Sequence, residues 1–317
     1  MKTLLQQGVD ESPSTPNLSP TRGIPNTSLR RRNLSVYLWL LPSFLLILVF
    51  IFYPVYELFV TAFSNIDLAG ISHGFYGFKN FSNLLQEPGF AHIIWNTVVW
   101  TVSIVAISTV LSVGIALLLN QKFFGRRIVR AALIIPWAAS LLITAAVWRW
   151  ILDGNYGTLN YILERLHIIH QNIVWLGSAK TAFPAMIGIG VFVTIPFTTF
   201  VFLSGLQTIS EDLYEAADVD GATPRQAFWT ITIPSLKHSF TVSTVLNTIY
   251  VFNSFPIIWT ITQGGPANAT QTLITYLYSL AFQSAKMGEA AAASVFGFLL
   301  LLIFSAIYGY IALRGDE

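Results

Sequence analysis

Six apolar stretches, each long enough to cross about 30 Å of hydrocarbon as a helix, leave this chain few folds to choose from. They run over about 36–63, 95–120, 128–152, 182–206, 236–262 and 288–313. In hydrocarbon every backbone N–H and C=O must be satisfied internally, and a run of this length does that as a helix. Only Glu57, Arg130, Arg149, Lys237 and Glu289 interrupt these stretches, all near an end. Charged residues make up 10% of the chain and hydrophobic ones 54%, against roughly 25% charged in a water-soluble domain. The expected fold class is therefore an all-α membrane protein with six transmembrane helices.

The placement of Lys and Arg orients such a bundle. With the N-terminus inside, the cytoplasmic segments hold Lys2, Arg22, Arg30, Arg31, Arg32, Lys122, Arg126, Arg127, Arg130, Arg225, Lys237 and Arg314, twelve of the seventeen basic residues. Both termini are then expected in the cytoplasm. Residues 1–34 are polar, rich in Ser, Thr, Asn and Pro, and lack the apolar core of a secretory signal. They are expected to form a disordered cytoplasmic tail, with 35–317 as the membrane domain. The chain has no cysteine, which removes disulfides and thiolate metal sites, and its net charge of +2 carries no nucleic-acid signal.

One polar stretch stands between the fourth and fifth apolar runs: "DLYEAADVDGATPRQAF", 212–228. Ser210 followed by Glu211 and Asp212 reads as a capped helix start with acidic residues against the positive helix end. Gly221 reads as the stop. Thr223-Pro224-Arg225-Gln226 then reads as a second start, with Thr as cap, Pro at the first position and Gln in capping-box spacing. Leu213, Ala216, Ala217 and Asp220 share one side of the first helix, where paired alanines allow close approach. Pro196 and Pro256 fall inside apolar runs and are expected to bend them, either as packing kinks or as breaks lining a cavity.

The string "EAADVDGA" followed by "ITIP" resembles the EAA loop of the inner-membrane permeases of bacterial ABC importers. Ile233 replaces the usual Leu before Pro234. The resemblance extends over about 36–313, through "FLLILVFIFYPVYELFVTAF", "FYGFKNFSNLL", "RRIVRAALIIPWAAS", "NYGTLN" and "TQGGPANATQTL", and points to the carbohydrate-importer branch. It implies that 207–235 is a cytoplasmic coupling loop that docks on an ATP-hydrolysing subunit through Glu215, Ala216, Ala217, Asp220, Gly221 and Pro234. It also implies the partners: a second homologous permease, two ATP-binding subunits, an extracytoplasmic solute-binding protein and a carbohydrate cargo, all at the bacterial inner membrane. No Gly-x-x-x-x-Gly-Lys-Ser/Thr string occurs, so no cofactor is expected on this chain and ATP with magnesium belongs on the partner. No catalytic residue and no metal site is expected.

For the solute, Asn247, Tyr250, Val251 and Ser254 fall at i, i+3, i+4 and i+7, a single helical face with three polar members. Gly190, Val193, Thr194 and Phe197 repeat that spacing around Pro196. These positions resemble the sugar-contacting face of the maltose permease subunit, with Gly190 and Val251 where that subunit has asparagines, and Thr194 and Phe197 where it has Gly and Tyr. Thr194, Phe197, Asn247, Tyr250, Val251 and Ser254 are the expected substrate-binding residues. Asn, Ser and Thr in membrane helices also bond simply to neighbouring helices. A polyol or glycerol-phosphate-type solute is the alternative cargo. An ion-coupled transporter would need ionisable groups mid-span, and none is there. Trp95, Trp100, Trp148, Trp150 and Trp259 are expected as interfacial anchors. Gly70-Ile71-Ser72-His73-Gly74 fits a nucleophile-elbow pattern, but with no strand expected before it, it is read as coincidence.

Overall fold

A computed structural model describes residues 39–314; the expected tail at 1–34 lies outside them. The chain divides into two compact units, Met1–Val55 and Tyr56–Glu317. Four helices are long and apolar enough to cross a membrane unbroken: α1 (Trp39–Ala62), α3 (Phe90–Asn120), α7 (Ala179–Leu206) and α13 (Met287–Arg314). The other two apolar runs are each divided. Arg126–Ala138 (α4) and Leu141–Ile151 (α5) meet at 98°, and Lys237–Phe252 (α10) and Phe255–Ile261 (α11) meet at 40°. Among the described residues there are thus four helices able to cross a membrane by length and composition, or up to six if each bent pair is one crossing.

Proline chemistry accounts for much of this. Pro136 lies in the last turn of α4, and the extended residues Ala139 and Ser140 follow it, turning the chain into α5. Pro256 is at the first turn of α11 and so begins a helix where its missing N–H costs nothing. The sequence expectation placed it inside one bent helix; the helix has already ended at Phe252. Pro196, with Pro184, stays within an unbroken α7. Wide π turns occur at Leu48–Phe52 and Phe228–Thr232, each ending two residues before a proline, Pro54 or Pro234, whose ring crowds the preceding turn.

Between α1 and α3 a small hairpin, β1 (Ser64–Ile66) and β2 (Ser72–Phe75), pairs Ser64 with Phe75 and Ile66 with Ser72. Asp67 closes its turn by accepting from the amides of Ala69 and Ile71 and meeting His73 Nε2 at 2.8 Å. Ser72 therefore opens a strand, so the Gly-x-Ser-x-Gly string sits on a hairpin and not on a strand-to-helix turn. Next comes α2 (Lys79–Gln86), whose buried Asn80 donates to the Ala62 and Ser64 carbonyls at 2.9 Å each.

The core lies between α3 and α7. A Cβ on Gly190 would run into the Ile104 side chain, which would have to move aside, so glycine lets the two helices meet here with Ile104 in place. Trp100 is 1% exposed and its indole donates to the Val251 carbonyl at 3.0 Å. It is a core residue tying α3 to α10, not the interfacial anchor its type led us to expect. Trp259 stacks on Phe255 and meets Tyr278 edge to face instead of standing free, whereas Trp95 and Trp150 are exposed, as anchors would be. Ala116 and Leu119 of α3 pack with Phe202, Leu203 and Leu206 of α7 and with Leu236. Both helices therefore end on the same side of the bundle, the side that carries the polar segment 207–235.

Candidate functional site

On that side, chain chemistry alone builds α8 (Glu211–Val219) and α9 (Pro224–Ala227). Ser210 Oγ accepts from the Asp212 amide, with Glu211 and Asp212 in the first turn. At the other end the Ala222 amide reaches the Ala217 carbonyl and the Gly221 amide reaches Asp218, the paired bonds of a Schellman stop. Gly221 holds φ +76°, where a Cβ is strained even though nothing lies within 4 Å of it. Thr223 and Gln226 then form a reciprocal capping box around Pro224. The Tyr214 hydroxyl meets Thr232 Oγ1 at 2.9 Å and so ties α8 to the segment leading into α10.

No residue of α8 is buried. Glu215, Ala216, Asp220, Gly221 and Pro234 are exposed and Ala217 is half-buried. Leu213, Val219 and Trp229 add exposed apolar surface, with Val219 at 88%. An acidic, small-residue helix carrying bare Leu213 and Val219 and capped at both ends, with bare Trp229 in the π turn that follows α9, has the build of a docking element.

A cavity of about 300 Å³ lies where α4, α7 and α10 meet, lined by Trp137, Val193, Thr194, Phe197, Leu246, Asn247 and Tyr250. Four of the six expected substrate residues are thus brought together: Thr194, Phe197, Asn247 and Tyr250. None of the lining side chains is ionisable near neutral pH, and the walls combine aromatic faces with neutral polar groups. Phe197 also borders a hollow of about 490 Å³ on the loop side, lined by hydroxyls of Ser204, Thr208, Ser235 and Ser239 together with His238.

The polar members are less free than their spacing implied. Asn247 is buried, and its amide nitrogen donates to Thr198 Oγ1 at 2.8 Å and Ser243 Oγ at 3.2 Å. The Thr194 hydroxyl turns back to the Gly190 carbonyl at 2.7 Å, the local bond by which a helical threonine satisfies itself. Tyr250 is 49% exposed and is the most accessible polar group of the set.

Val251 and Ser254 do not line the cavity. Val251 packs in the α3–α7 core, and Ser254 lies beyond the end of α10 at the break before α11, its hydroxyl buried without a partner. The i+7 position followed a helical period through a point where the helix had stopped. Gly190 likewise faces Ile104 and not the cavity. Sequence reasoning missed Trp137 and Leu246. Trp137 arrives from α4 through the turn after Pro136, and only the neighbouring Pro136 hinted that this segment would deviate.

Residues 108–314 match the family described as binding-protein-dependent transport system inner membrane component. A probable ABC transporter permease protein of Brucella suis biovar 1 is 48% identical over 281 residues, 89% of this chain and 97% of the relative. The trehalose/maltose transport system permease protein of Thermococcus litoralis is 37% identical, covering 86% of this chain and 91% of the relative. Among solved structures, a chain of a bacterial ABC transporter involved in the import of the acidic polysaccharide alginate superposes with a TM-score of 0.81 at 24% identity, over 92% of this chain and 99% of that one, which speaks to the fold. With the match spanning more than half its length and relatives this similar covering nearly all of it, the chain belongs to the family of binding-protein-dependent transport system inner membrane components.

Proposed function

We propose that this chain is the permease subunit of an ATP-driven importer of a neutral sugar and forms one side of an alternating-access path. The observation that carries the reading is the exposed, doubly capped helix pair at 210–227 on the side where α3 and α7 end. A partner ATPase would bind Glu215, Ala216, Ala217, Asp220 and Gly221 there and transmit its closure through Tyr214–Thr232 and Pro234 into α10, one wall of the cavity. In this reading each bent helix pair makes one crossing, giving six spans, and the twelve-to-five bias of basic residues places the 207–235 loop and both termini in the cytoplasm. A second, homologous permease would complete the path, and a solute-binding protein would deliver cargo at the opposite face.

The cargo class follows from the walls of the cavity. Trp137, Phe197 and Tyr250 offer aromatic faces, and Asn247 and Thr194 offer neutral polar groups. No Lys, Arg or His lines it, which disfavours a glycerol phosphate ester relative to a neutral sugar or polyol. No carboxylate lines it either, so this cavity offers no carrier for proton or sodium coupling.

The test is reconstitution of both permeases and the ATPase in liposomes. With the binding protein present, labelled sugar uptake should require ATP. Exchanging Gly221 for a bulky residue should leave the permease pair assembled while ATPase association and uptake fall by about tenfold or more, given the role of a left-handed cap. Unchanged uptake in that variant would remove the coupling assignment, and uptake without the ATPase would remove the reading as a whole.

A further inference from the structure

The short turn between α3 and α4 holds an unexplained electrostatic feature. Lys122, Arg126, Arg127 and Arg130 place four cations within nine residues. Arg126 and Arg130, one helical turn apart, share a face of α4. Arg126 Nε and Arg130 Nε and Nη2 are enclosed and have no hydrogen-bond partner. Neither arginine forms an ion pair among the described residues. Leaving buried guanidinium donors unmatched is unfavourable, because their lost hydration is not replaced. Nη1 and Nη2 of Arg126 and Nη1 of Arg130 are not enclosed in this way, so an anion can approach them.

The surroundings say which anion. The cluster begins two residues after Asn120, where α3, a helix long and apolar enough to cross a membrane, ends. Around the cations stand bare apolar side chains: Phe124 is 103% exposed and Ile128 73%. Water-soluble partners are poorly matched to such a border, whereas a lipid presents acyl chains and a phosphate together. The open Nη1–Nη2 edge of Arg126 can bind phosphate oxygens in two-point fashion, and Arg130 Nη1 adds a single charged donor beside it. We propose that Arg126 and Arg130, with Lys122 and Arg127 around them, form a binding site for the phosphodiester of an anionic phospholipid, in the leaflet on the 207–235 side. Charge complementarity fixes the headgroup, and Phe124 and Ile128 meet the chains. The site would anchor α4, whose far end carries Trp137 of the cavity.

The experiment uses the assembled complex in detergent, mixed with equal amounts of phosphatidylcholine and phosphatidylglycerol and analysed by native mass spectrometry. The natural complex should retain phosphatidylglycerol preferentially, and Arg126→Gln/Arg130→Gln should lose that preference by about fivefold for each arginine replaced. Arg126→Lys/Arg130→Lys, which keeps the charge and removes the fork, should fall between the two. Inorganic phosphate added in excess should not displace the lipid; displacement would mark a free-anion site and overturn the assignment to lipid. Equal retention of both lipids by the natural complex overturns the proposal, as does unchanged preference in the glutamine variant. Loss of a partner subunit with lipid preference intact would assign the arginines to a protein carboxylate and also overturn it. Should the glutamine variant fail to assemble, the natural complex and the lysine variant decide by the same criteria. None of these readings depends on sugar uptake, so the site can fail while the transport function stands, and the reverse.

Discussion

The segment 210–227 and the cavity between α4, α7 and α10 lie along the same two helices, yet their order comes from opposite sources. In the segment the caps and the stop join residues two to five positions apart, Ser210 with Asp212, Ala217 with Ala222, Thr223 with Gln226, and Tyr214 alone reaches farther, to Thr232. In the cavity wall and the core behind it the decisive bonds cross long stretches of chain: Asn247 to Thr198 in the wall, 49 positions away, and Trp100 to Val251 in the core, 151 positions away. A local motif keeps its form when its neighbours move, which suits a part that transmits motion. A wall built from distant pieces changes shape when its helices shift, which suits a part that must admit and release a solute.

The sharpest way to break this comparison is to delete a long-range tie. Trp100→Ala should cost about 3–5 kcal/mol by analogy with other buried tryptophans, read as a large fall in thermal stability of the purified complex and in the amount recovered. A near-normal melting temperature would mean that α3 and α10 do not depend on this contact.

Two glycines then separate space from conformation. Gly190→Val drives its Cβ against Ile104 and should destabilise the bundle by about 1–3 kcal/mol. Gly221→Val meets no neighbour and should cost only about 1–2 kcal/mol, from the left-handed backbone, while coupling to the ATPase falls. Measured side by side, the first variant should lower the melting temperature more and the second should lower ATP-dependent uptake more. The reverse order would undo the distinction between packed wall and free loop.

A smaller effect is expected inside the cavity. Tyr250→Phe should leave assembly intact and lower apparent sugar affinity by about tenfold, the value of one hydrogen bond to a neutral partner. Asn247→Ala should instead lower stability, because Thr198 and Ser243 lose their shared partner. If both variants change selectivity without touching stability, Asn247 is a ligand and its internal bonds are incidental.

The smallest effect lies in the hairpin, far from both. Asp67 is held below its ordinary value of 3.8, first by the hydrogen bond with His73, then by the Ile71 amide. A carboxyl lowered on folding adds stability that is present above its unfolded value and is lost as pH falls through the folded one. Hydrogen exchange at the Ala69 and Ile71 amides should therefore stay slow down to about pH 4 and quicken below it, and Asp67→Ala should abolish that step. Exchange independent of pH after correction for chemistry would show that the carboxylate does not hold the turn.

How much of this was readable in advance follows the same division. Ser210, Gly221, Thr223 and Gln226 announced their roles because caps depend on side-chain chemistry a few residues apart. The long apolar runs announced helices because hydrocarbon permits little else. Of the face Asn247–Tyr250–Val251–Ser254, Asn247 and Tyr250 reach the cavity wall, whereas Val251 turns into the core and Ser254 lies past the helix end. Trp100 was misread because an aromatic near the start of an apolar run has the same sequence signature whether it faces the headgroups or another helix. Trp137 was missed because a 98° turn brings it in, and that angle is set by what α4 and α5 pack against.

By itself, then, the amino-acid order determined a helical membrane bundle, its polar capped loop and the absence of a nucleotide-phosphate loop, since these rest on hydrophobic length and short-range hydrogen bonding. Tertiary structure alone decided which polar groups face the cavity, which tryptophan is buried, and that Arg126 and Arg130 present unmatched guanidinium groups. Those outcomes depend on which helices meet, on how closely a glycine such as Gly190 lets them approach, and on whether a distant partner satisfies each buried donor.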